Sequence, residues 1–332
     1  MKEFKSILEF QKHFDSDEKC RQHLEQQRWN GTPACPFCGS LNVCRFKTGK
    51  HFNCRDCRKN FSVTVGTIYE NSKIPLHKWY LATYILTNHS KGISSLQLAG
   101  WLGVTQKTAW FLNHRIREML KENQPELLSG SIESDEAYVG GSVTNWSNKK
   151  RKEYIEGGKH WHENKTMVIG VVEREKYTIV ERPHKVIKDR VVKEKVVSKE
   201  SKVITKVIGS ISIDEIKAFI KANVKEGSNL YTDDLAAYKH LADIYNHESV
   251  NHSSGEYKKG DACTNTIEGF WSLLKRQIVG IHHSVSSGHL QRYSDEATYR
   301  YNRRKLAQDE KFEDAVKKCN RRLKYKQLIS KP

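Results

Sequence analysis

The chain has no run of eighteen consecutive apolar residues, which excludes the usual signature of a membrane-spanning helix. An apolar signal core is also missing: Met1-Lys-Glu-Phe-Lys moves straight into charge, a pattern that predicts a cytoplasmic protein. No period of solenoid length recurs, so stacked repeats are excluded. Acid is in short supply, with 39 Asp and Glu against 57 Lys and Arg and a formal charge of +18. The basic residues run through every segment and no amphipathic lipid-facing stretch accompanies them. A polyanion is therefore the expected partner, and a membrane is not. A length of 332 residues suits two or three domains with a sizeable core.

In a cytoplasmic setting, eight cysteines are expected as metal ligands and free thiols rather than disulfides. Four of them form the pairs Cys35-Pro-Phe-Cys38 and Cys54-Arg-Asp-Cys57, with fifteen residues between the pairs. Each pair grips two tetrahedral positions from one tight turn, so together they predict a closed site for one structural Zn²⁺ per chain. Gly39 frees the backbone to turn its amides toward a thiolate. Cys44 and His51 lie inside the loop without a paired partner, and Cys20, Cys263 and Cys319 fall outside the pattern.

Along the chain, residues 1–30 read as a helical lead-in with Phe4, Ile7, Leu8, Phe10 and Phe14 on one apolar stripe, followed by a zinc ribbon over 31–72. Residues 73–125 read as three helices forming a helix-turn-helix unit. Residues 130–310 predict an α/β domain built on a mixed sheet, with strands at 132–139, 166–172 and 177–180 in antiparallel succession. Residues 145–165 read as a polar loop. The stretch 184–207, where Val/Ile pairs alternate with lysine, suits either a strand pair or an exposed insertion. Beyond it, 213–224 reads as a helix, 229–232 as a strand, 235–245 as a helix and 248–252 as a strand. Two more helices follow at 266–278 and 290–305, and 311–332 reads as a basic tail.

Within Ser94-Ser-Leu-Gln-Leu-Ala-Gly-Trp-Leu-Gly-Val-Thr-Gln-Lys-Thr-Ala-Trp, Ala99 would pack at a helix crossing, Gly103 would turn the chain and Thr105 would cap the second helix. That helix would offer Gln106, Lys107 and Asn113 to base edges and hold His114, Arg115 and Arg117 near phosphates. A plain three-helix packing unit is the competing reading.

Three acids stand out downstream. Phosphodiester cleavage by two divalent cations needs carboxylates that hold the ions about 4 Å apart. Asp135 sits mid-strand, where a charge is unfavourable unless it faces a site, although Glu133 shares its face. Asp233 ends a short apolar strand. Of the adjacent pair, Asp234 is the expected cap for the following helix, leaving Asp233 for metal. Glu268 shares a helix face with Asn265, Ser272 and Lys275. Asn265-Thr-Ile-Glu268 is also spaced like a capping box, so a purely structural role for Glu268 competes.

These elements resemble an RNase H-like domain, and the thirty-four residues between Asp233 and Glu268 resemble the spacing in DDE transposases and retroviral integrases. Closer still is the resemblance to zinc-ribbon insertion-sequence DDE transposases, the ISXO-like group. It rests on Cys35-Pro-Phe-Cys38-Gly, Cys54-Arg-Asp-Cys57-Arg-Lys, Phe61-Ser-Val-Thr-Val-Gly-Thr-Ile-Tyr, Asp135-Glu-Ala-Tyr-Val-Gly-Gly, Tyr231-Thr-Asp233 with Tyr238, Val250-Asn-His-Ser, Asn265-Thr-Ile-Glu268-Gly-Phe-Trp-Ser-Leu-Leu-Lys275-Arg and Arg300-Tyr-Asn-Arg.

The resemblance implies an enzyme that binds an element's terminal inverted repeats, frees 3'-hydroxyls and joins them to target DNA, as a homo-oligomer in the synaptic complex. It implies Asp135, Asp233 and Glu268 as ligands of two Mg²⁺ or Mn²⁺ ions, Asn265 as a rival or helper at the third position, and Lys275 with Arg276 on DNA. Two departures stand out: Cys263 occupies a position where the family leads one to expect His, and 184–207 is longer and more basic than the usual link. A non-catalytic DNA-binding regulator and a plain metal-dependent nuclease are the alternatives.

Overall fold

The computed structural model describes residues 4–122, 126–141, 143–158, 165–183, 187, 191–209, 212–251, 256 and 258–330. The chain divides into two units: Met1–Lys121 with Arg303–Pro332, and Glu122–Asn302.

The first unit opens with α1 (Ile7–His13) and α2 (Asp17–Trp29), each started by a serine, Ser6 and Ser16, whose hydroxyl accepts a first-turn amide. Three short antiparallel strands follow, β1 (Val43–Arg45), β2 (Phe52–Cys54) and β3 (Asn60–Phe61), backed by stacked Phe52 and Phe61 and by Trp29. Then come α3 (Leu76–Asn88), α4 (Ser95–Leu102) and α5 (Gln106–Leu120). Gly103, at φ 62°, closes α4 in the left-handed conformation, and the Thr105 hydroxyl accepts the Thr108 amide to start α5, as their positions predict.

Residues 311–332 are not a tail. They supply α10 (Gln308–Lys317) and α11 (Tyr325–Ile329), because Phe312, Ala315, Val316 and Cys319 recur at helical spacing and are buried. Phe312 joins Phe4, Phe10, Phe14, Tyr80 and Tyr84 in one aromatic cluster, with Phe10 stacked on Tyr84 at 4.4 Å. Ile7 and Leu8, expected on the same stripe, face solvent instead.

The second unit is a five-stranded mixed sheet in the order β10-β9-β4-β5-β8. It comprises β4 (Ser131–Val139), β5 (Thr166–Glu173), β8 (Lys202–Ile208), β9 (Asn229–Asp233) and β10 (Asn246–Val250). The pairs β4–β5 and β5–β8 are antiparallel, while β4–β9 and β9–β10 are parallel. Interior β5 is apolar almost throughout, as a strand covered on both faces must be. One face packs α7 (Ile213–Asn223) and a 3-10 segment, Ala236–Leu241, against Ile132, Ile169, Val171 and Leu230. The other packs α8 (Asn265–Gln277) and α9 (Ser287–Asn302) against Ala137, Val139, Val168 and Val172.

Several expectations for this unit need correction. Residues 177–180 do not enter the main sheet: they belong to an exposed two-stranded ribbon, β6 (Lys176–Pro183) with β7 (Val191–Lys199). Its register sets Ile179 beside Lys195 and Val180 beside Glu194, so neither face is uniformly apolar. Residues 202–208 are no insertion either: they pair with β5 as the sheet's edge strand, with Val203 buried on one face and Ile208 on the other. Part of 145–165 is α6 (Asn148–Glu156), capped by Ser147, while 159–164 fall outside the described residues. The helix expected at 235–245 is the short 3-10 segment.

Candidate active site

Parallel pairing of β4 with β9 sets Ser131, Ile132 and Glu133 beside Asn229, Leu230 and Tyr231. Two residues further on, the same register brings Asp135 opposite Asp233. Carboxylate oxygens of Asp135, Glu136 and Asp233 all lie within 4.8 Å of one another, a separation at which one or two divalent cations can be shared. Burial pushes the Asp135 carboxyl up to about 6, and the neighbouring Asp233 and Glu268 charges push the same way. Glu136 is pushed up to about 8, again by burial first and by Asp233 and Asp135 next. Three acids crowded this way repel one another, and bound cations would relieve that repulsion.

The sequence reading holds Glu136, like Glu133, only as a fallback for Asp135. Adjacent strand residues point to opposite sides of a sheet, so the pair Asp135-Glu136 reads as one site residue and one bystander. Here Glu136 accepts a hydrogen bond from the Tyr238 hydroxyl, which reaches it from the 3-10 segment and also lies 3.1 Å from the Ser134 hydroxyl. The Asp-Glu dipeptide with Tyr238 downstream was the available signal.

Glu268 sits one turn into α8. Its carboxylate lies outside the three-acid cluster, where it accepts the Thr264 hydroxyl at 2.9 Å while still acting on Asp135 through charge. The predicted capping box does not form: Asn265 is exposed and already helical, and Thr264 is the boundary residue.

The amides at this helix start are satisfied by Glu133 from β4. Glu133 is fully buried and accepts the Thr266 amide and hydroxyl, each at 2.8 Å, the Ile267 amide at 3.0 Å and Arg174 Nε at 2.6 Å. With these four donors it is a structural anion at a helix N-terminus and not a rival metal ligand. Arg174 donates onward to the carbonyls of Asp261 and Cys263, with the Cys263 sulfur 2.9 Å away. The unusual Cys263 therefore faces a guanidinium.

The expected cap at Asp234 is corrected, while Asp233 stays in the acid cluster. Asp233 Oδ1 accepts the Leu235 amide at 3.2 Å, and Asp234 accepts Asn251 Nδ2 rather than capping the 3-10 segment. The tight turn directly after β9 brings that amide to the nearer side chain.

In the first unit, Cys35 and Cys57 sulfurs lie 3.6 Å apart, as do those of Cys38 and Cys54, and all four fall within 4.8 Å of one another. A tetrahedron with Zn–S bonds of about 2.3 Å has edges of about 3.8 Å, so the thiols fit zinc and leave no open position. Cys44 and His51 are exposed and outside the cluster.

Among residues expected on DNA, Gln106 and Lys107 are exposed at the start of α5, with Lys107 5.5 Å above the Tyr325 ring. Arg115 and Arg117 are not on a surface. They are 5% and 1% exposed, because the second half of α5 is enclosed on all sides, and Arg115 donates to the Glu70 carbonyl between the Trp79 and Phe111 rings. Asn113 and His114 are buried with them. Lys275 and Arg276 are exposed on α8, Lys275 beside the buried face of Phe270, Trp271 and Leu274 and Arg276 opposite it.

The family model described as the ISXO2-like transposase domain matches residues 127–302, and a transposase zinc-ribbon domain matches residues 15–60. A protein of Halobacterium salinarum, described as an uncharacterized protein in transposable element ISH50, is 29% identical over 287 residues, covering 85% of this chain and 90% of its own length. No solved structure matches the chain. Among the described residues, no helix is long and apolar enough to cross a membrane.

Proposed function

Because the chain belongs to the ISXO2-like transposase family, we propose that it binds the terminal inverted repeats of an insertion sequence, cleaves to free 3'-hydroxyls and joins these to target DNA. The observation that carries this reading is the register of β4 against β9, which gathers Asp135, Glu136 and Asp233 at one end of a mixed sheet inside the matched region. Three antiparallel strands followed by two parallel ones support the RNase H-like reading of that sheet.

Asp135 and Asp233 are the proposed ligands for Mg²⁺ or Mn²⁺, with Glu268 completing the set from α8 and Glu136 a fourth acid beside them. Two such ions would supply an activated attacking oxygen and a stabilised leaving oxygen. The protein's part is to hold the carboxylates in place while Lys275 and Arg276, on the exposed side of the same helix, take DNA phosphate. Asn265, exposed at the first position of α8, is placed to assist there.

The end-specific reader is the zinc ribbon, 31–72, followed by α4 and α5 as a helix-turn-helix within 73–125. The exposure of Gln106 and Lys107 at the start of α5, where such helices meet base edges, supports these two as its DNA-reading residues. Zinc folds the ribbon and takes no part in the chemistry. The enzyme works in the cytoplasm as a homo-oligomer that holds two element ends together.

The test is an incubation of the purified chain with labelled element ends and Mg²⁺ or Mn²⁺. Cleavage with joining is expected. Cleavage without joining indicates a plain nuclease, and end-specific binding with neither indicates a regulator.

A further inference from the structure

Antiparallel pairing of β4 and β5 sets Gly170 opposite Asp135. A Cβ at Gly170 would lie 2.8 and 2.9 Å from Cη2 and Cζ2 of Trp271 and 3.1 Å from Ile267 Cδ1. No side chain fits there without displacing the ring. The Trp271 indole therefore rests on bare strand backbone at the centre of the sheet, 4% exposed, and its Nε1 donates to Asp135 Oδ2 at 3.1 Å.

A buried indole N–H requires an acceptor. In this site the acceptor is an acid of the carboxylate cluster and not a backbone carbonyl. Trp271 lies one turn beyond Thr266 and Ile267, whose amides are held by Glu133. Helix α8 thus meets β4 at two polar contacts, made by carboxylates two residues apart on one strand face. The first contact fixes the helix on the sheet, and the second carries that alignment to Asp135.

We propose that Trp271, seated on Gly170, is a positioning residue that orients the Asp135 carboxylate for a divalent cation. This rests on the reading of Asp135 as a cation ligand. A carboxylate that binds a cation is held more tightly in place when a neighbour donates to it, and loss of such a donor typically weakens metal affinity by about 10- to 100-fold.

The experiment titrates Mn²⁺ into the full-length, zinc-loaded chain and follows unbound Mn²⁺ by electron paramagnetic resonance. Parent is compared with Asp135→Asn, Trp271→Phe, Asp135→Asn/Trp271→Phe and Trp271→β-(3-benzothienyl)alanine. The last keeps a bicyclic ring on Gly170 and removes only the N–H, so it preserves the test if the phenylalanine variant does not fold. Both Trp271 variants are expected to bind Mn²⁺ about tenfold more weakly or worse. In the Asp135→Asn background, Trp271→Phe should change affinity by less than about twofold, since the two residues act through one bond. A purely structural role would lower the melting temperature and leave Mn²⁺ affinity intact. Parent-like affinity in the benzothienyl variant, alongside weakened binding by Asp135→Asn, would overturn the role of Trp271 alone. Parent-like affinity in Asp135→Asn would remove Asp135 as a ligand, and with it the premise.

Discussion

Cys35, Cys38, Cys54 and Cys57 come from two tight turns of one small ribbon, whereas Asp135 and Asp233 are brought together across about 100 residues by a parallel strand pair. The two clusters also differ in what they do to the fold when no cation is bound. The ribbon around the thiols has little other core to fold around. The carboxylates sit in a large, independently packed sheet and are forced against one another. A structural cation site lends stability to its surroundings, while the acid site is tolerated by surroundings that are stable without it.

The sharpest way to break this comparison is to remove the zinc. Structural zinc sites bind with about 10–16 kcal/mol, so a chelator or Cys57→Ser should strip one zinc per chain and open residues 15–60 to protease. Metal analysis and limited proteolysis read both effects, and an unchanged digestion pattern would mean that the ribbon folds by itself. At the acid site the large effect falls on activity instead. Asp135→Asn and Asp233→Asn should each reduce Mg²⁺-dependent end cleavage to background while end binding in a gel-shift assay stays near parent. Glu268→Gln should do the same with stability within about 0.5 kcal/mol, since an amide oxygen still accepts the Thr264 hydroxyl.

The comparison also predicts opposite signs for stability. Asp135 has its carboxyl raised to about 6 in the folded chain by burial and by Asp233 and Glu268, so its ionised form opposes folding. Below about pH 4 the group is protonated in both folded and unfolded chains and contributes nothing; the penalty grows as pH rises and is complete above about 6. Asp135→Asn should therefore stabilise the cation-free protein at pH 7.5 by about 1–2 kcal/mol, discounted because the site is partly open to water, and the gain should vanish near pH 4. Urea melts at the two pH values decide it. The smallest effect expected is at Lys107→Ala, which should alter the sequence preference of DNA binding more than its salt slope, without touching either cluster.

The zinc ligands were legible because their geometry is local: two short turns leave thiols few other arrangements. Asp135 and Asp233 were legible as candidates because one is a charge in mid-strand and the other ends a short apolar strand. Glu136 was not, since strand alternation argues against neighbours sharing a site, and only Tyr238, about a hundred residues away, shows which way it turns. Glu133 shares a strand face with Asp135 but holds helix amides, because the face of a strand is readable and the amides waiting there are not. Arg115 and Arg117 were placed on DNA by their charge and their position on the second helix of the expected helix-turn-helix, yet the Arg115 guanidinium, between two rings and with a carbonyl to bond, is a stable buried group. The C-terminal helices were missed although Phe312, Ala315, Val316 and Cys319 carry helical spacing, because the density of lysine and arginine around them outweighed the periodicity.

Helix α10 bears on how the protein is made. Phe312 belongs to the aromatic cluster of a unit whose other members are translated before residue 122, and the whole of the second unit is synthesised in between. A domain emerging from the ribosome folds when its last core residue is available. The carboxylate-bearing unit is therefore complete first, while the zinc-bearing unit waits with Phe10, Phe14 and Tyr80 uncovered until α10 has left the exit tunnel. Premature termination between residues 303 and 312 would release a chain whose sheet domain is finished and whose first domain is not, and uncovered aromatics of that kind are what chaperones and proteases recognise.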